Sequence, residues 1–211
     1  MYKQKLKIYL DDLAAKLPAP GGGSAAALTA ASAVALISMV ANFTLGKEKY
    51  KSVEKEIKEV LDSAEALREK LSSLVDEDVV AYGKVSEAYA LPKENPEQKS
   101  KRQQAIQQGL KQALATPLEV CRACAEAARL CPVTAESGNR NLVSDVGVAI
   151  LFIEAAYQAA LLNVEINLNG IKDEKFISEI RQTLDPLEKE LMLIKNKVQQ
   201  AVKAKMAQGA N

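Results

Sequence analysis

The chain has 211 residues, of which 48% are apolar and 26% charged, and its 28 basic and 27 acidic side chains give a net charge of +1. This composition is typical of a soluble globular protein and excludes the collagen-like, mucin-like and disulfide-scaffold classes. Because the charges balance and Trp is absent, we expect no general nucleic-acid-binding surface. The length favours a single domain over residues 1–211.

The absence of His restricts the chemistry that is available. It excludes Ser-His-Asp and Cys-His nucleophile systems, His-containing zinc sites and the Glu-x-x-His pairs of di-iron bundles. Proton transfer must therefore use carboxylates, Lys, Tyr, Cys or groups of the substrate. Cys121, Cys124 and Cys131 lack a fourth soft ligand, so we interpret them as core residues and predict no metal site.

The apolar spacing predicts long helices and no convincing strand, in keeping with 33 Ala residues and few helix breakers. We expect kinks at Pro117 and Pro186, and Cys131-Pro132 is expected to end the fourth helix. The prediction is an all-α, single-domain bundle of about five to six long helices. The predicted helices cover residues 3–17, 24–45, 50–90, 97–130, 139–169 and 173–206.

Two segments near the N-terminus bear on the cellular location of the protein and on membrane association. The first twelve residues lack the apolar core of a signal peptide, and we predict a cytoplasmic protein. The uncharged stretch at residues 24–46 is long enough to span a bilayer. It consists mainly of Ala, Ser and Thr and contains Asn42, so it inserts poorly into lipid. We predict a buried central helix and no membrane association.

A glycine-rich segment, PAPGGGS at residues 18–24, directly precedes that uncharged helix. Gly21, Gly22 and Gly23 allow close approach of another backbone or a ligand, and the helix N-terminus that begins at Ser24 suits an anion. No Lys follows, so the segment is not a P-loop. These four residues are candidate binding residues, and a flexible turn is the alternative interpretation.

A carboxyl side chain interrupts the apolar stripe of the third predicted helix. The stripe runs from Val53 to Tyr89 at three- and four-residue steps, and Asp78 falls on it, whereas Asp76 and Glu77 fall on other faces. Desolvation raises the pKa of a carboxyl on the core side and suits it to general acid catalysis. The alternatives are a stripe that ends early or a pair with a buried cation.

Polar residues on the last part of the chain form two further candidates. A face of the fifth predicted helix begins at Asp145 and reaches Asn163 and Asn167, with small residues between them that leave room for a ligand. A buried polar network between helices is the alternative. On the fourth predicted helix, Lys101 and Arg102 either meet a polyanionic substrate tail or form a solvated face.

The string PAPGGGSAAAL resembles the cyclodeaminase/cyclohydrolase family of folate enzymes. The resemblance continues in order through MVANFTLGKEKY, LVDEDVVAYGKV, the Leu91-Pro92 loop, Asn141-x3-Asp145 and LNVEINLNGIKD, and covers about residues 5–175. It implies an all-α homodimer that acts on a tetrahydrofolate derivative without a metal or a further cofactor. It does not imply the transferase activity of the larger animal enzymes.

The resemblance also assigns roles to residues. The acid of the family is an Asp in the block at residues 75–82, which corresponds to Asp78, or to Asp76 if the alignment is shifted by two. The spacing of residues, and not the resemblance, places the glycine-rich segment and the face of Asp145, Asn163 and Asn167 at the same folate site. We predict Asp78 and Asp145 as catalytic residues. The predicted substrate-binding residues are Gly21, Gly22, Gly23, Ser24, Asn163, Asn167 and Arg102.

The predicted reaction converts 5-formimino-tetrahydrofolate to 5,10-methenyl-tetrahydrofolate with release of ammonia by general acid catalysis. The first alternative is a cyclohydrolase that opens 5,10-methenyl-tetrahydrofolate to 10-formyl-tetrahydrofolate. The second alternative is a helical binding or scaffold protein without activity.

Overall fold

The computed structural model describes residues 2–208, with side chains from Lys5 onward. Within this range the chain forms α-helices and two short 3-10 helices, Glu48–Val53 and Arg140–Leu142, and no strand. The all-α prediction is therefore confirmed. The α-helices are α1 (Tyr2–Ala14), α2 (Gly22–Asn42), α3 (Glu54–Ala90), α4 (Pro96–Ser137), α5 (Val143–Leu168) and α6 (Glu174–Ala207).

Local sequence signals explain several helix ends. Asn95 precedes α4 and its side chain accepts a hydrogen bond from the Gln98 N–H, while Pro96 occupies the first helical position, where its missing N–H has no consequence. Asp173 caps α6 in the same way by accepting from the Phe176 N–H. After α2 the chain turns at Gly46, whose φ of 70° favours glycine.

The predicted end of the fourth helix at Cys131-Pro132 is wrong, because α4 continues to Ser137. An interior proline removes one backbone hydrogen bond and costs about 3 kcal/mol. Here Cys131, Thr134 and Ala135 are buried, so packing of the last turns against the core offsets that cost. Two other boundaries also differ, since 3-10 helices precede α3 and α5 where continuous α-helix was predicted.

The bundle is organised around α4. This helix packs against α2, α3, α5 and α6, and α2 also lies between α3 and α5. Within residues 2–208, α1 makes no extensive contact with any of the other helices. The core is made of small and branched side chains, and the Ala-rich face of α2 allows its neighbours to approach closely.

Two segments, Gly22–Asn42 and Arg140–Leu168, are long and apolar enough to cross a membrane by length and composition alone. Core helices of soluble proteins pass the same test. In the first segment, 61% of the most apolar window is buried inside the bundle, as expected for a central helix. In the second only 39% is buried, so α5 keeps much of its apolar surface exposed.

Candidate active site

A cleft of about 420 Å³ lies where the start of α2, the second half of α3, the middle of α4 and the end of α5 meet. It contains most of the predicted site residues. Its lining residues are Pro18, Ala19, Gly21, Gly22, Gly23, Asp78, Ala81, Tyr82, Val85, Tyr89, Leu110, Ala113, Pro117, Asn163, Ile166 and Asn167.

Asp78 is the one acidic residue among these lining residues, and it is half-buried. Its Oδ2 accepts a hydrogen bond of 2.9 Å from the backbone N–H of Ser24, in the first turn of α2. Burial raises the pKa of the carboxyl, and the hydrogen bond from Ser24 opposes that rise. The desolvation argument made for Asp78 from the stripe therefore applies in the folded protein. Asp76 is exposed and does not line the cleft.

The glycines at the start of α2 allow this carboxyl to approach the helix. A Cβ atom on Gly23 would lie 2.2 Å from Asp78 Oδ1 and 2.7 Å from its Cγ, which no side chain tolerates. A Cβ on Gly22 would lie 3.3 Å from Asn163 Nδ2. Gly23 is thus required for this contact between α2 and α3, whereas a Cβ on Gly22 would need the Asn163 side chain to shift by only a few tenths of an ångström.

Ser24 connects this site to the first helix. Its side chain is buried, and its Oγ lies 3.1 Å from the hydroxyl oxygen of Tyr9 on α1. Its backbone N–H is the group that holds Asp78. Ser24 therefore lies behind the carboxyl rather than on the open side of the cleft, which agrees with its absence from the lining residues.

Asn163 and Asn167 lie one turn apart on the α5 wall of the cleft, as their spacing predicted. Each side-chain amide donates a 2.8 Å hydrogen bond to the carbonyl oxygen four residues earlier in its own helix, from Asn163 to Ala159 and from Asn167 to Asn163. These bonds fix the orientation of both side chains along the wall.

Two aromatic residues of the cleft, Tyr82 and Tyr89, were predicted as members of the apolar stripe. The buried part of the stripe instead ends near Leu74, and both tyrosines are 50% exposed. Arg102 reaches Tyr89 from α4, with 3.0 and 3.2 Å hydrogen bonds to its carbonyl oxygen and the guanidinium 5.7 Å from the ring centre. Arg102 thus contacts a lining residue and does not itself line the cleft.

Asp145 does not join the other site residues within one chain. It lies in the first turn of α5, eighteen residues before Asn163, which corresponds to about 27 Å along the helix axis. The side chain is half-buried and is not among the cleft residues. The eighteen-residue spacing on a single helix already implies this separation, so a shared helix face did not place Asp145 and Asn163 at one site.

The three cysteines are buried and carry free thiols, as expected for core residues. Burial raises the pKa of Cys121 and of Cys131 to about 12, so their thiols are protonated and unreactive at neutral pH. Among residues 2–208 no three Cys, Asp or Glu side chains gather as a metal site would require.

A helical bundle that holds a desolvated carboxyl over a cleft of this size is an enzyme fold suited to acid–base chemistry on a small molecule. Comparison with known proteins identifies the family. The sequence profile described as formiminotransferase-cyclodeaminase matches residues 5–186, and the chain belongs to this family of folate one-carbon enzymes. The resemblance seen in the sequence is thereby confirmed.

Individual relatives agree with this assignment. A methenyltetrahydrofolate cyclohydrolase of Methylorubrum extorquens is 41% identical over 96% of this chain and 98% of its own. A formimidoyltransferase-cyclodeaminase of Sus scrofa is 35% identical over 86% of this chain, which spans only 34% of that larger protein. The crystal structure of formiminotetrahydrofolate cyclodeaminase from Thermotoga maritima superposes with a TM-score of 0.85, at 34% identity, and covers 94% of this chain and 96% of that one.

Proposed function

We propose that this protein is a formimidoyltetrahydrofolate cyclodeaminase and that Asp78 is its general acid. The observation that supports this role is the position of the carboxyl, which is half-buried in the cleft and anchored through one oxygen to the Ser24 N–H. Because its pKa is raised, a larger fraction of the Asp78 carboxyl is protonated near neutral pH than would be the case for an exposed Asp. A reaction that must protonate a leaving amine uses such a group.

The reaction consists of one bond formed and one bond broken at the formimino carbon. The formimino group reacts in its protonated form, attached through its carbon to the 5-nitrogen. The 10-nitrogen of the folate attacks that carbon, and a tetrahedral aminal forms that carries an amino group and still holds the proton of the 10-nitrogen. Asp78 then donates its proton to the amino nitrogen, the carbon–nitrogen bond breaks and ammonia leaves. The carboxylate that remains takes the proton of the 10-nitrogen, and the product is the 5,10-methenyl compound. General acid catalysis of this kind contributes about 10²–10⁴-fold.

The walls of the cleft suit a flat, polar ligand. Tyr82 and Tyr89 offer exposed rings on which a pterin or benzoyl group stacks, and Asn163 offers an amide on the opposite wall. Arg102, held on Tyr89, lies next to that end of the cleft, where the folate carboxylates would meet its charge. We further propose that the enzyme is a cytoplasmic homodimer and needs no metal or other cofactor.

A second candidate function is methenyltetrahydrofolate cyclohydrolase. The full-length similarity to the Methylorubrum extorquens protein of that name favours it. In this reaction water adds to the methenyl carbon and the ring opens to the 10-formyl compound. In this reaction Asp78 would begin as a carboxylate and accept a proton from the water, whereas in the cyclodeaminase reaction it begins protonated. The same cleft serves both reactions.

An optical assay of the methenyl chromophore tests both reactions with the purified protein. Formation of the chromophore from 5-formimino-tetrahydrofolate, faster than in buffer, establishes the cyclodeaminase. Accelerated loss of the chromophore from 5,10-methenyl-tetrahydrofolate establishes the cyclohydrolase. If neither rate changes, the enzyme proposal fails and a non-catalytic helical binding protein becomes the better interpretation.

A further inference from the structure

The turn between α5 and α6, residues 169–173, is held by a side chain of α4. Gln107 uses both ends of its amide there. Its Nε2 donates a 2.7 Å hydrogen bond to the carbonyl oxygen of Gly170, and its Oε1 accepts one of 2.7 Å from the backbone N–H of Lys172. The Gln107 side chain is half-buried. An amide that is bound at both ends has one orientation, and it fixes the turn against α4.

Two further residues on the same face of α4 contact this turn. Leu110 and Lys111 follow Gln107 at steps of three and four, so all three lie on one side of the helix. A Cβ atom on Gly170 would lie 2.6 Å from Leu110 Cδ1, which shows how closely the turn approaches that side chain. Lys111 forms a 2.6 Å ion pair with Asp173, the residue that caps α6. The turn is therefore attached to α4 at several points.

The same turn ends the α5 wall of the cleft. Asn167 lies three residues before Gly170, and its carbonyl oxygen accepts a 3.1 Å hydrogen bond from the Gly170 N–H. Asn163 lies one helical turn earlier, and its carbonyl oxygen accepts from the side chain of Asn167. Leu110 lines the cleft as well, on the α4 side. A displacement of the turn would therefore move the two Asn side chains relative to Leu110 and the rest of α4.

The main-chain bonds of the turn do not connect it to α4. The N–H groups of Gly170 and Ile171 donate to carbonyl oxygens of α5, which keeps the local shape of the turn. Apolar packing holds α4 and α5 together but is non-directional. In the described part of the chain, the hydrogen bonds that join the turn to α4 come from Gln107 and Lys111. The Lys111 pair is 35% and 44% exposed and contributes little, so Gln107 specifies how the end of α5 is seated.

We propose that Gln107 is a positioning residue, which fixes the turn against α4 and thereby holds Asn163 and Asn167 at the spacing that a bound folate requires. The identity of the ligand rests on the proposed function, whereas the contact between Gln107 and the turn does not. The alternative is that the two bonds of Gln107 serve the stability of the bundle alone. Folate affinity separates the two roles, because a bond with a purely structural role affects Tm and leaves the shape of the cleft unchanged.

The chain offers a matched control towards the other end of α4. Lys205 of α6 donates to two backbone carbonyl oxygens in the last turn of α4, that of Ala135 at 2.7 Å and that of Glu136 at 2.6 Å. It therefore also ties two helices together through a pair of bonds from one side chain to the main chain. None of these three residues lines the cleft. Loss of the Lys205 bonds should reduce stability and leave the folate site unchanged.

The first experiment compares Gln107→Met and Lys205→Met with the wild type by calorimetric titration of tetrahydrofolate, which neither proposed reaction consumes. Met keeps approximately the length of either side chain and removes its hydrogen bonds. We expect Gln107→Met to raise the Kd by about 10–100-fold, the loss that removal of an outer hydrogen-bond partner causes at metal sites. The Kd of Lys205→Met should equal that of the wild type. Circular dichroism verifies that both variants are folded.

The second experiment separates KM from kcat in the methenyl assay. Gln107→Met should raise KM more than it lowers kcat, because Asp78 and its hydrogen bond to Ser24 are untouched. Hydrogen exchange then locates the change without any ligand. The amides of residues 163–172 should exchange faster in Gln107→Met than in the wild type, whereas in Lys205→Met the faster exchange should be confined to the ends of α4 and α6.

An unchanged Kd in Gln107→Met together with a lower Tm would assign Gln107 a purely structural role and overturn the proposal, as would a loss of kcat at constant Kd. Gly170→Ala is an independent variant should Gln107→Met not fold. Its new Cβ would lie 2.6 Å from Leu110 Cδ1, so it should push the turn off α4 and raise the Kd as well, and an unchanged Kd would again refute the proposal.

The wild type itself separates the two proposals. If it binds tetrahydrofolate but catalyses neither reaction, the proposed function fails, while the Kd comparison still decides the role of Gln107. If it catalyses one of the reactions and the Kd of Gln107→Met is unchanged, the proposed function stands and the positioning role is overturned. A wild type that binds no folate overturns both.

Discussion

Asp78 combines two opposing influences, since burial raises its pKa and the Ser24 N–H lowers it. An Asn at this position keeps an oxygen that accepts the same hydrogen bond but cannot donate a proton as an acid does. The substitution therefore separates the proton-transfer role of the side chain from its structural role.

Asp78→Asn is expected to reduce kcat by about 10²–10⁴-fold while folate binding is retained. The measurement is the methenyl assay, combined with a calorimetric titration of the folate. Asp76→Asn is the control, because that exposed neighbour does not line the cleft, and it should retain its activity. Near-normal turnover of Asp78→Asn would remove this residue from the mechanism.

The raised pKa of Asp78 also predicts the pH dependence of stability. A carboxyl with a higher pKa in the folded state binds a proton more tightly there than in the unfolded chain. The associated stability is present below the ordinary pKa of about 3.9 and is lost as the pH rises through the raised value. Asp78→Asn should therefore gain Tm relative to wild type between acidic and neutral pH. A difference in Tm that does not change with pH would contradict this, and Asp76→Asn should show no such trend.

Gly23→Ala is expected to destabilise the protein and to displace the carboxyl of Asp78, because the new Cβ would lie 2.2 Å from Asp78 Oδ1. Activity should fall together with Tm. Gly83→Ala is the matched control, since a Cβ there meets nothing within 4 Å and the residue lies inside α3. That variant should be stabilised by roughly 0.5–1 kcal/mol. Equal Tm values for the two variants would refute the steric argument.

At the scale of elements, Asn139 joins the end of α2 to the start of α5. It is buried, its N–H donates to Thr44 Oγ1 at 2.8 Å, and its Nδ2 donates to the Phe43 carbonyl oxygen at 3.0 Å. Its own Oδ1 accepts from the Asn141 N–H at 3.2 Å. Removal of this side chain is costly because the Phe43 carbonyl oxygen and the Asn141 N–H lose the hydrogen bonds that it makes with them.

Asn139→Ala is therefore expected to lower the free energy of unfolding by about 1–3 kcal/mol, without changing the affinity for folate, because the residue does not line the cleft. Urea denaturation measures this difference. Asn141→Ala is the control, since its side chain is exposed, and its change should stay within about 0.5 kcal/mol. Equal losses in the two variants would show that the bonds of Asn139 are not the cause.

On the scale of the whole molecule, the cleft is lined by α2, α3, α4 and α5 together, so a folate bound there would contact all four helices. Such a ligand stabilises the folded bundle as a unit. At 100 times its dissociation constant, a reduced folate should raise the free energy of unfolding by about 2.7 kcal/mol. A thermal-shift measurement tests this, with Asp78→Asn expected to shift like the wild type. A scaffold protein would show no shift with either chain.

Much of the fold is predictable because it follows from local sequence patterns. Apolar spacing at 3.6 residues per turn and the abundance of Ala specify long helices, whatever position each helix takes in the bundle. The apolar stripe likewise identified Asp78 as the carboxyl on the side of α3 that faces the neighbouring helices. The Gly21–Ser24 segment was recognisable because few other sequences tolerate such close approach. All of these signals are contained within a few turns of chain.

The tertiary structure decided the features that depend on which helices meet. Pro132 does not end α4, because buried residues beyond it pack against the core. Tyr82 and Tyr89 line a cleft instead of the core, although Val85 and Ala88 in the same part of α3 still pack on the core. Asp145 shares a helix face with Asn163, but the cleft forms only at the end of α5 that carries Asn163 and Asn167. Periodicity specifies the face on which a side chain lies, and only the packing of the helices determines what that face meets.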